Sequence, residues 1–313
     1  MTRERLDLGW RLLLVAREWR SRSTFPATPF GIRLGAAGDP HLCEADDDRA
    51  GLLWRDHAFA VGPGLPVEFR DLVELYLPTL GASARRPVVI GHLGQSLDAQ
   101  IATGSGDSCY VTGPANLTHL HRMRALCDAV VVGAGTVAAD DPRLTTRLVA
   151  GPNPVRVVID PDRRLAREHR LFGDGEAPTL RVCGADRITE TETADDLIGI
   201  PRNGEGLRLS AVIAALGRRG LHALFIEGGG VTVSRWMTAG LLDRLQIATA
   251  PVLIGAGRPG LSLPPAQSMR ACRRPAYRLF QMGEDILWDF DLRREPIADA
   301  NPPDPGRAPV RLR

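Results

Sequence analysis

The pattern with the clearest chemical meaning is a carboxylate followed by three glycines, Glu227-Gly228-Gly229-Gly230, directly after the apolar residues 224–226. It predicts a buried strand that ends on the carboxylate, a glycine turn, and a helix running through Trp236. Glycine lets the backbone approach a ligand closely, and the N–H groups at the start of a helix attract phosphate. The segment therefore suits a dinucleotide pyrophosphate, although it is not the G-x-G-x-x-G fingerprint. A tight strand-to-helix turn without a ligand is the alternative.

Glu227 itself has two interpretations. Ligands of open α/β sheets gather where the strands end, which favours a functional carboxylate. The alternative is a side chain that caps its own turn or helix.

A second apolar run, 130–132, leads into Gly133-Ala134-Gly135 and then into Asp140-Asp141-Pro142. The small-residue turn could admit a cofactor. Paired carboxylates are typical of metal or acid–base sites, but Asp-Asp-Pro is more often a solvated turn. Arg147 follows and could pair with a substrate phosphate, with a surface arginine as the alternative.

The histidines and cysteines do not have metal-ligand spacing. His119 and His121 lie two positions apart, so they point to different faces of the helix predicted there. The five cysteines are odd in number and include no C-x-x-C pair. We therefore expect no bound metal, an activity that chelators leave unchanged, and a reducing compartment, with the cytoplasm as the default.

Strands and helices alternate from residue 86 to about residue 291. Apolar runs predict buried strands at 87–92, 129–132, 155–159, 179–182, 223–226 and 245–249. Helical patterns predict helices at 114–126, 210–217 and 232–239. This order predicts an α/β fold with a mainly parallel central sheet flanked by helices, its strands buried on both sides.

The two ends of the chain differ from this middle part. Residues 1–85 are expected to form a small, irregular N-terminal extension with a helix near 6–19 and a second helix near 67–77, and no motif there indicates chemistry. The proline-rich segment from residue 295 is typical of a disordered tail. We therefore predict an accessory region of unknown role (1–85), an α/β domain (86–294) and a tail (295–313).

The charges nearly balance, with 39 Lys and Arg against 37 Asp and Glu among 313 residues. This balance argues against nucleic acid or an acidic membrane as the partner. No apolar stretch reaches the length of a membrane span. A small molecule is the expected partner.

Several further segments are informative because of their order along the chain. They are Ser96-Leu97-Asp98, Ser108, Thr112-Gly113, His121-Arg122-Met123-Arg124-Ala125, Asp128-Ala129, Gly133-Ala134-Gly135-Thr136-Val137, Asp140-Asp141-Pro142-Arg143-Leu144-Thr145 and Glu227-Gly228-Gly229. Together they resemble the pyrimidine reductase of riboflavin biosynthesis, which in many bacteria is the C-terminal half of a bifunctional deaminase–reductase. The resemblance covers about residues 86–291.

The resemblance implies a dihydrofolate-reductase-like fold, a homodimer, and an NADPH-dependent reduction. The substrate would be a ribosylaminopyrimidine 5′-phosphate of the 5-amino-6-(5-phosphoribosylamino)uracil type, which accepts hydride at the sugar C1′. The enzyme must hold the nicotinamide against that carbon, bind the phosphate and exclude water.

Site residues follow from the resemblance, motif by motif. The implied substrate-binding residues are Ser108, Arg124, Leu144, Arg147 and Glu227, with Glu227 also catalytic. The implied cofactor-binding residues are Gly94, Tyr110, Thr136, Asp140, Pro161, Gly229, Gly230, Val231, Thr232, Val233, Ser234 and Arg235.

The sequence also departs from the family pattern. The family commonly has Gly followed by Lys or Arg after Ser-Leu-Asp, whereas this chain has Ala99-Gln100. Residues 1–85 contain no H-x-E followed by P-C-x-x-C, so we expect no deaminase activity. A reductase of another pterin or pyrimidine, or a non-catalytic nucleotide-binding protein, are the alternatives. Retention of Arg124, Arg147 and Glu227 argues against the non-catalytic protein.

NADPH is expected over NADH. No acidic residue follows the glycine turn by about twenty positions to hold a ribose 2′-hydroxyl. Arg163 and Arg164 instead follow the strand predicted to end near Asp160, where a guanidinium could bind a 2′-phosphate.

Overall fold

The computed structural model describes residues 3–22, 28–35, 39–109, 111–189, 194–204 and 206–293. Its α-helices are α1 Arg3–Arg22, α2 Val67–Leu80, α3 Pro114–Leu126, α4 Ala134–Asp140, α5 Arg170–Gly173, α6 Leu209–Gly217 and α7 Gly230–Thr238. Its strands are β1 Phe30–Leu34, β2 Pro40–Cys43, β3 Leu52–Arg55, β4 Ala58–Val61, β5 Val88–Ser96, β6 Gln100–Ala102, β7 Ala129–Gly133, β8 Val155–Ile159, β9 Thr179–Gly184, β10 Leu197–Ile200, β11 Arg202–Asn203, β12 Gly206–Leu207, β13 Ala223–Glu227, β14 Arg244–Ala250, β15 Arg258–Pro259, β16 Ala276–Met282 and β17 Asp285–Asp291.

The central sheet has nine strands in the order β10-β9-β8-β7-β13-β5-β14-β17-β16. All neighbours from β10 to β14 are parallel, and only β17 and β16 run antiparallel to their neighbours. Val130, Val131 and Val132 on β7 are fully buried, as expected for a strand with helices on both faces of the sheet. The predicted α/β fold with a mainly parallel sheet is confirmed.

The antiparallel end of the sheet was not predicted from the sequence. β16 and β17 pair in register from Ala276–Asp291 to Met282–Asp285. Exposed and less exposed residues alternate along β16, so it lacks the continuous apolar run that marks the parallel strands. Polar residues also interrupt the apolar pattern of both strands. Arg278 on β16 and Asp289 on β17 are register partners and form an ion pair with each other.

The N-terminal 85 residues are more ordered than the sequence indicated. The two predicted helices are confirmed and are longer than expected, but the expected irregular segment between them forms a four-stranded antiparallel sheet, β2-β1-β3-β4. That expectation was wrong. Each of these strands has only four or five residues, too few for a period to show in the sequence, and it is their pairing with one another that defines them.

The N-terminal segment packs directly on the α/β domain. Leu12, Tyr76, Met123 and Phe225 belong to one continuous apolar core. Arg20 on α1 donates to the carbonyl of Leu126 at 3.0 Å, across the base of α3. The predicted boundary at residue 85 stays a prediction, and this core crosses it.

Long-range hydrogen bonds fix the same junction. Arg278 on β16 donates to the carbonyl of Glu74 on α2 at 3.1 Å, across 204 positions of sequence. The predicted tail 295–313 lies outside the described residues. Among the described residues, no helix is both long enough and apolar enough to cross a membrane.

Candidate functional site

A cleft of about 910 Å³ lies at the carboxyl ends of β5, β7 and β13. Open α/β sheets bind ligands at this edge, because the turns that follow parallel strands converge there. Backbone-rich turns and polar side chains form two different walls of the cleft.

The first wall, here called the glycine wall, consists of residues 133–135 after β7 and residues 228–230 after β13. Gly228 and Gly229 have positive φ angles of 143° and 56°, a conformation that disfavours other residues. A Cβ at Gly230 would lie 2.2 Å from the carbonyl oxygen of Gly260, so this position requires glycine. A Cβ at Gly135 would meet nothing within 4 Å. The wall therefore offers backbone and open space to a ligand, next to the N-terminus of α7.

The second wall contains the Glu227 carboxylate at the end of β13. Arg124 on α3 donates through Nε to Glu227 Oε2 at 2.8 Å, and its second nitrogen donates to Oε1. The two side chains are only 9% and 14% exposed, so the pair is largely removed from water. The guanidinium also donates to the carbonyl of Thr145 at 3.1 Å. The carboxylate is thus held in one orientation at the edge of the cleft.

His92 lies beside Glu227 in the same wall. The two residues are register partners on the neighbouring parallel strands β5 and β13. His92 is buried, lines the cleft, and its Nε2 lies 3.1 Å from Asn116 Oδ1 on α3. Burial is the main cause that lowers the pKa of His92 to about 4, so its ring is neutral near pH 7. His92 was not predicted as a site residue, because a histidine at the end of an apolar run has no distinguishing pattern.

The contacts of α3 extend this arrangement across three strands. One side of α3 carries Asn116, His119 and Arg124, which bond His92 on β5, Gln246 on β14 and Glu227 on β13 respectively. These six residues are called the polar seam below. Gln246 and Glu227 are both register partners of His92, so the seam crosses the sheet at one level.

The seam continues into the N-terminal segment. His119 is fully buried between Gln246 Oε1, 3.0 Å from its Nε2, and the hydroxyl of Tyr76 on α2, 2.8 Å from its Nδ1. Burial and the neighbouring His92 hold the pKa of His119 well below its usual value. Gln246 Nε2 faces Asp289 Oδ1 at 3.4 Å, which directs Gln246 Oε1 at His119. His119 therefore donates from Nε2 and accepts from Tyr76 at Nδ1.

Asp98, from the Ser-Leu-Asp motif, has a structural role. It accepts from the Ser96 hydroxyl and from the backbone N–H groups of Ile254 and Gly255. These bonds, led by that of Ser96, lower the pKa of Asp98 to about 2. Asp98 thus holds the loop that carries Arg258 over the cleft.

Most of the residues implied by the resemblance meet at the cleft. Those that line it are Gly94, Ser108, Thr136, Asp140, Glu227, Gly229, Gly230, Val231, Thr232 and Arg235. Pro161 and Ser234 line an adjoining cavity of about 730 Å³, which shares Thr232 and Arg235 with the cleft. Val233 is instead fully buried in the apolar core. Tyr110 lies outside the described residues.

Leu144 and Arg147 do not line the cleft. Both are adjacent to or bonded to Thr145, whose carbonyl accepts from Arg124. Leu144 is 2% exposed. Arg147 is exposed, donates to Thr145 Oγ1 at 2.6 Å, and its backbone N–H donates to His121. Partial burial and the nearby cations Arg124 and Arg143 lower the pKa of Arg147. The chain therefore concentrates positive charge next to Glu227.

The two arginines expected to bind a 2′-phosphate point in different directions. Arg164 is exposed and lines the cleft. Arg163 lines a separate cavity of about 230 Å³, and it donates to the carbonyl of Arg187 at 2.8 Å. Only Arg164 is placed to reach a ligand in the cleft.

The departure at Ala99-Gln100 also has a structural context. Ala99 has a φ of 63°, the left-handed conformation in which glycine is usual. Gln100 donates from Nε2 to the carbonyl of Asp98 at 2.9 Å and is not among the residues lining the cleft. Among the described residues, no group of three or more His, Cys, Asp or Glu side chains could hold a metal ion.

A mainly parallel sheet with a glycine-walled cleft at its strand ends is the architecture of an open α/β protein that binds its ligand at this edge. Residues 87–286 match the family model of the RibD C-terminal domain, and the chain belongs to this family.

Two curated relatives show how the match is distributed. The chain is 32% identical over 219 residues to the 2,5-diamino-6-ribosylamino-4(3H)-pyrimidinone 5′-phosphate reductase of Methanothermobacter thermautotrophicus, covering 66% of this chain and 99% of the relative. It is 30% identical over 188 residues to the riboflavin biosynthesis protein RibD of Escherichia coli, covering 56% of this chain and 51% of that protein.

Two solved structures share the fold. RibD of Acinetobacter baumannii has a TM-score of 0.60 at 18% identity, covering 91% of this chain and 99% of that chain. The riboflavin biosynthesis reductase Rib7 of Saccharomyces cerevisiae has a TM-score of 0.56 at 19% identity, covering 71% of this chain and 97% of that chain.

Proposed function

We propose that this chain is an NADPH-dependent reductase of a ribosylaminopyrimidine 5′-phosphate in riboflavin biosynthesis. The observation that carries the proposal is the Glu227 carboxylate, which Arg124 holds in one orientation beside the glycine wall in a single cleft. A relative that the chain covers almost completely is named as a reductase of such a phosphate.

The glycine wall fits a dinucleotide. Gly135 has open space where a side chain would be, and Gly230 and Val231 present the N-terminus of α7 to the cleft. Helix N-termini bind phosphate through free N–H groups, so we assign the pyrophosphate to this turn. When bound, NADPH supplies the hydride that the sugar C1′ accepts.

The second wall, which contains Glu227, would hold the substrate. Glu227 is fixed as a hydrogen-bond acceptor, since both of its oxygens already face the guanidinium of Arg124. It therefore suits sugar hydroxyls, and a carboxylate bonded in this way is a poor proton donor. Ser108 lines the same cleft and adds a hydroxyl.

Arg147 is the proposed phosphate ligand. Its exposure and the neighbouring Arg143 make this the more cationic side of Glu227. A phosphate contact is made alike in the ground and transition states, so Arg147→Ala should chiefly raise KM for the substrate and leave kcat nearly unchanged. Equal loss in kcat and kcat/KM would contradict this assignment.

The decisive experiment measures NADPH oxidation by the purified chain with two substrates. One is the uracil compound that the resemblance implies, and the other is the 2,5-diaminopyrimidinone named for the archaeal relative. Turnover of either compound supports the proposal, and the ratio of the two kcat/KM values identifies the preferred base. Tight NADPH binding without turnover of either compound, or of dihydropterins, would favour a non-catalytic nucleotide-binding protein.

We also propose that the chain is a homodimer. On the open face of the antiparallel strands, Tyr277 is 56% exposed, Leu279 42% and Ile286 37%. The ring centroids of Tyr277 and Trp288 lie 5.4 Å apart. A contiguous apolar sheet face is typical of an interface, and a second copy is the occupant that the resemblance implies. Light scattering should give a dimer mass for the wild type and a monomer mass for Leu279→Glu; a monomeric wild type contradicts the dimer.

The proposed location is the cytoplasm, because none of the five cysteines is paired in a disulfide.

A further inference from the structure

We propose that His92 is a further substrate-contacting residue, whose Nδ1 accepts a hydrogen bond from the reacting sugar beside Glu227. The inference rests on the proposed function, because it assigns an additional contact within the same cleft. It also gives a role to a buried polar side chain that follows three apolar residues and a glycine on β5.

The position of His92 is the first support. β5 lies between β13 and β14, and Glu227 and Gln246 are the register partners of His92 on those strands. Register partners in a sheet point to the same face, and neighbouring strands are about 4.8 Å apart. His92 and Glu227 can therefore both reach the hydroxyls of one sugar.

The orientation of the Asn116 amide indicates which nitrogen faces the substrate. In the structure Asn116 Nδ2 donates to Thr112 Oγ1 at 2.9 Å, and its Oδ1 lies 3.1 Å from His92 Nε2. An oxygen there can only accept, which makes His92 Nε2 the protonated nitrogen. In the neutral ring Nδ1 is then an acceptor, and among the described residues it has no hydrogen-bond partner.

The charged groups around the ring support a neutral acceptor. Burial, together with the cation of Arg124, disfavours the protonated ring, while Glu227 has the opposite effect. His119 on α3 lies against it with ring centroids 5.4 Å apart and is itself unprotonated. Asn116 also contacts the ring, with its Oδ1 3.1 Å from Nε2.

Two substitutions separate the substrate contact from the structural contact. His92→Gln can keep a donor to Asn116 while it loses the acceptor at the Nδ1 position. His92→Asn can keep an acceptor near the Nδ1 position while it loses the bond to Asn116. If the proposal holds, His92→Gln should lower kcat/KM by about tenfold, the loss expected for one hydrogen bond, with NADPH affinity unchanged. His92→Asn should recover part of that loss.

Binding of ribose 5-phosphate, measured by calorimetry, gives a readout that does not need turnover. It should weaken by about tenfold in His92→Gln. A wild type that turns over the substrate, together with a folded His92→Gln of unchanged kcat/KM and ribose 5-phosphate affinity, overturns the role of His92 alone. A wild type that binds ribose 5-phosphate through His92 but oxidises no NADPH overturns the proposed function alone.

A measurement on the wild type covers the case in which both variants fail to fold. The ¹⁵N resonance of His92 Nδ1 should shift when ribose 5-phosphate is added, because a new hydrogen bond at that nitrogen changes its shielding. A resonance that stays unchanged at saturating ribose 5-phosphate overturns the proposal.

Discussion

The two walls of the cleft are built from different parts of the polypeptide. The glycine wall presents backbone and empty space, and its main requirement is that side chains be absent at positions such as Gly230. The polar seam presents side chains that hold one another, such as Arg124 and Glu227. A ligand therefore contacts backbone atoms at the glycine wall and charged or polar side chains at the polar seam. The first wall should therefore control cofactor binding, and the second should control substrate chemistry together with stability.

The largest effect should come from Arg124→Gln. This change leaves the Glu227 carboxylate, 14% exposed, without its cation, and breaking a buried pair costs about 3–5 kcal/mol. Denaturant unfolding should show that loss of stability, and an assay of NADPH oxidation should show nearly complete loss of activity. The control is Arg143→Gln, whose side chain is 47% exposed and which should change stability by less than about 1 kcal/mol. Equal stability losses in the two variants would remove the distinction between the seam and the surface.

Glu227→Gln should give the next largest effect. The new amide group places a donor against the guanidinium of Arg124, so one of the two bonds is lost. We expect kcat to fall by on the order of a hundredfold, since the group that positions the reacting sugar is then displaced, and a displacement of about 1 Å can cost that much. Stopped-flow fluorescence should find NADPH affinity nearly unchanged. Near-wild-type turnover of Glu227→Gln would mean that the active site lies elsewhere.

Acid should destabilise the polar seam selectively. The folded-state pKa of His92 is about 4, whereas an unfolded histidine titrates near 6.5, so the unfolded chain binds the proton first as the pH falls. The stabilisation from the neutral His92 ring is complete above pH 6.5 and is lost as the pH falls toward 4. At pH 5 the loss amounts to about 2 kcal/mol. The pKa values of His119 and His121 are lowered as well, so the contribution of His92 is the part of the difference in unfolding free energy between pH 7 and pH 5 that is lost on substitution. The His92→Gln variant should show a smaller difference between these two pH values than the wild type.

Gly135→Val tests the glycine wall without a clash inside the protein. A Cβ there meets nothing within 4 Å and would extend into the cleft, so KM for NADPH should rise by about tenfold while stability is retained. Gly173→Val is the matched control, because its Cβ also meets nothing but lies away from the cleft. An equal effect of the two variants on KM would argue against the cofactor assignment.

The smallest effect is expected at the 2′-phosphate. Arg164 lines the cleft but is exposed, so Arg164→Ala should reduce the preference for NADPH over NADH by only about fivefold. Arg163→Ala should leave the preference unchanged, since Arg163 faces a different cavity. The ratio of kcat/KM for the two cofactors provides the measurement. A larger effect of Arg163→Ala would reverse the assignment.

The sequence predicts the glycine wall better than the polar seam. Apolar runs such as 129–132 and the glycines after them have local signatures, and the structure has strands at those places. The glycine turn after β13 is present, whereas the turn predicted after residue 132 is wrong, because helix α4 begins there at Ala134. The helix predicted at 114–126 is α3 with the same bounds. The seam depends on contacts between residues far apart in sequence, such as His119 and Gln246, 127 positions apart. No local pattern indicates such a contact, so His92 and Asn116 were missed.

The site residues taken from the resemblance divide in the same way. Those that follow β7 and β13 lie together at the cleft, while the resemblance gave no hint that Arg124 is bonded to Glu227 and to the carbonyl of Thr145. The N-terminal sheet was missed because its strands are short and partly polar, so their pairing is a tertiary effect.

The bond between Arg278 and the carbonyl of Glu74 has a consequence for biosynthesis. The two residues are 204 positions apart, and translation proceeds at roughly 5–20 residues per second. Helix α2 therefore leaves the ribosome roughly 10–40 seconds before the strand that completes its docking site is made. During that interval Tyr76 and the apolar side of α2 lack part of the cover that the completed fold gives them, so the nascent N-terminal segment exposes apolar surface until β16 is made.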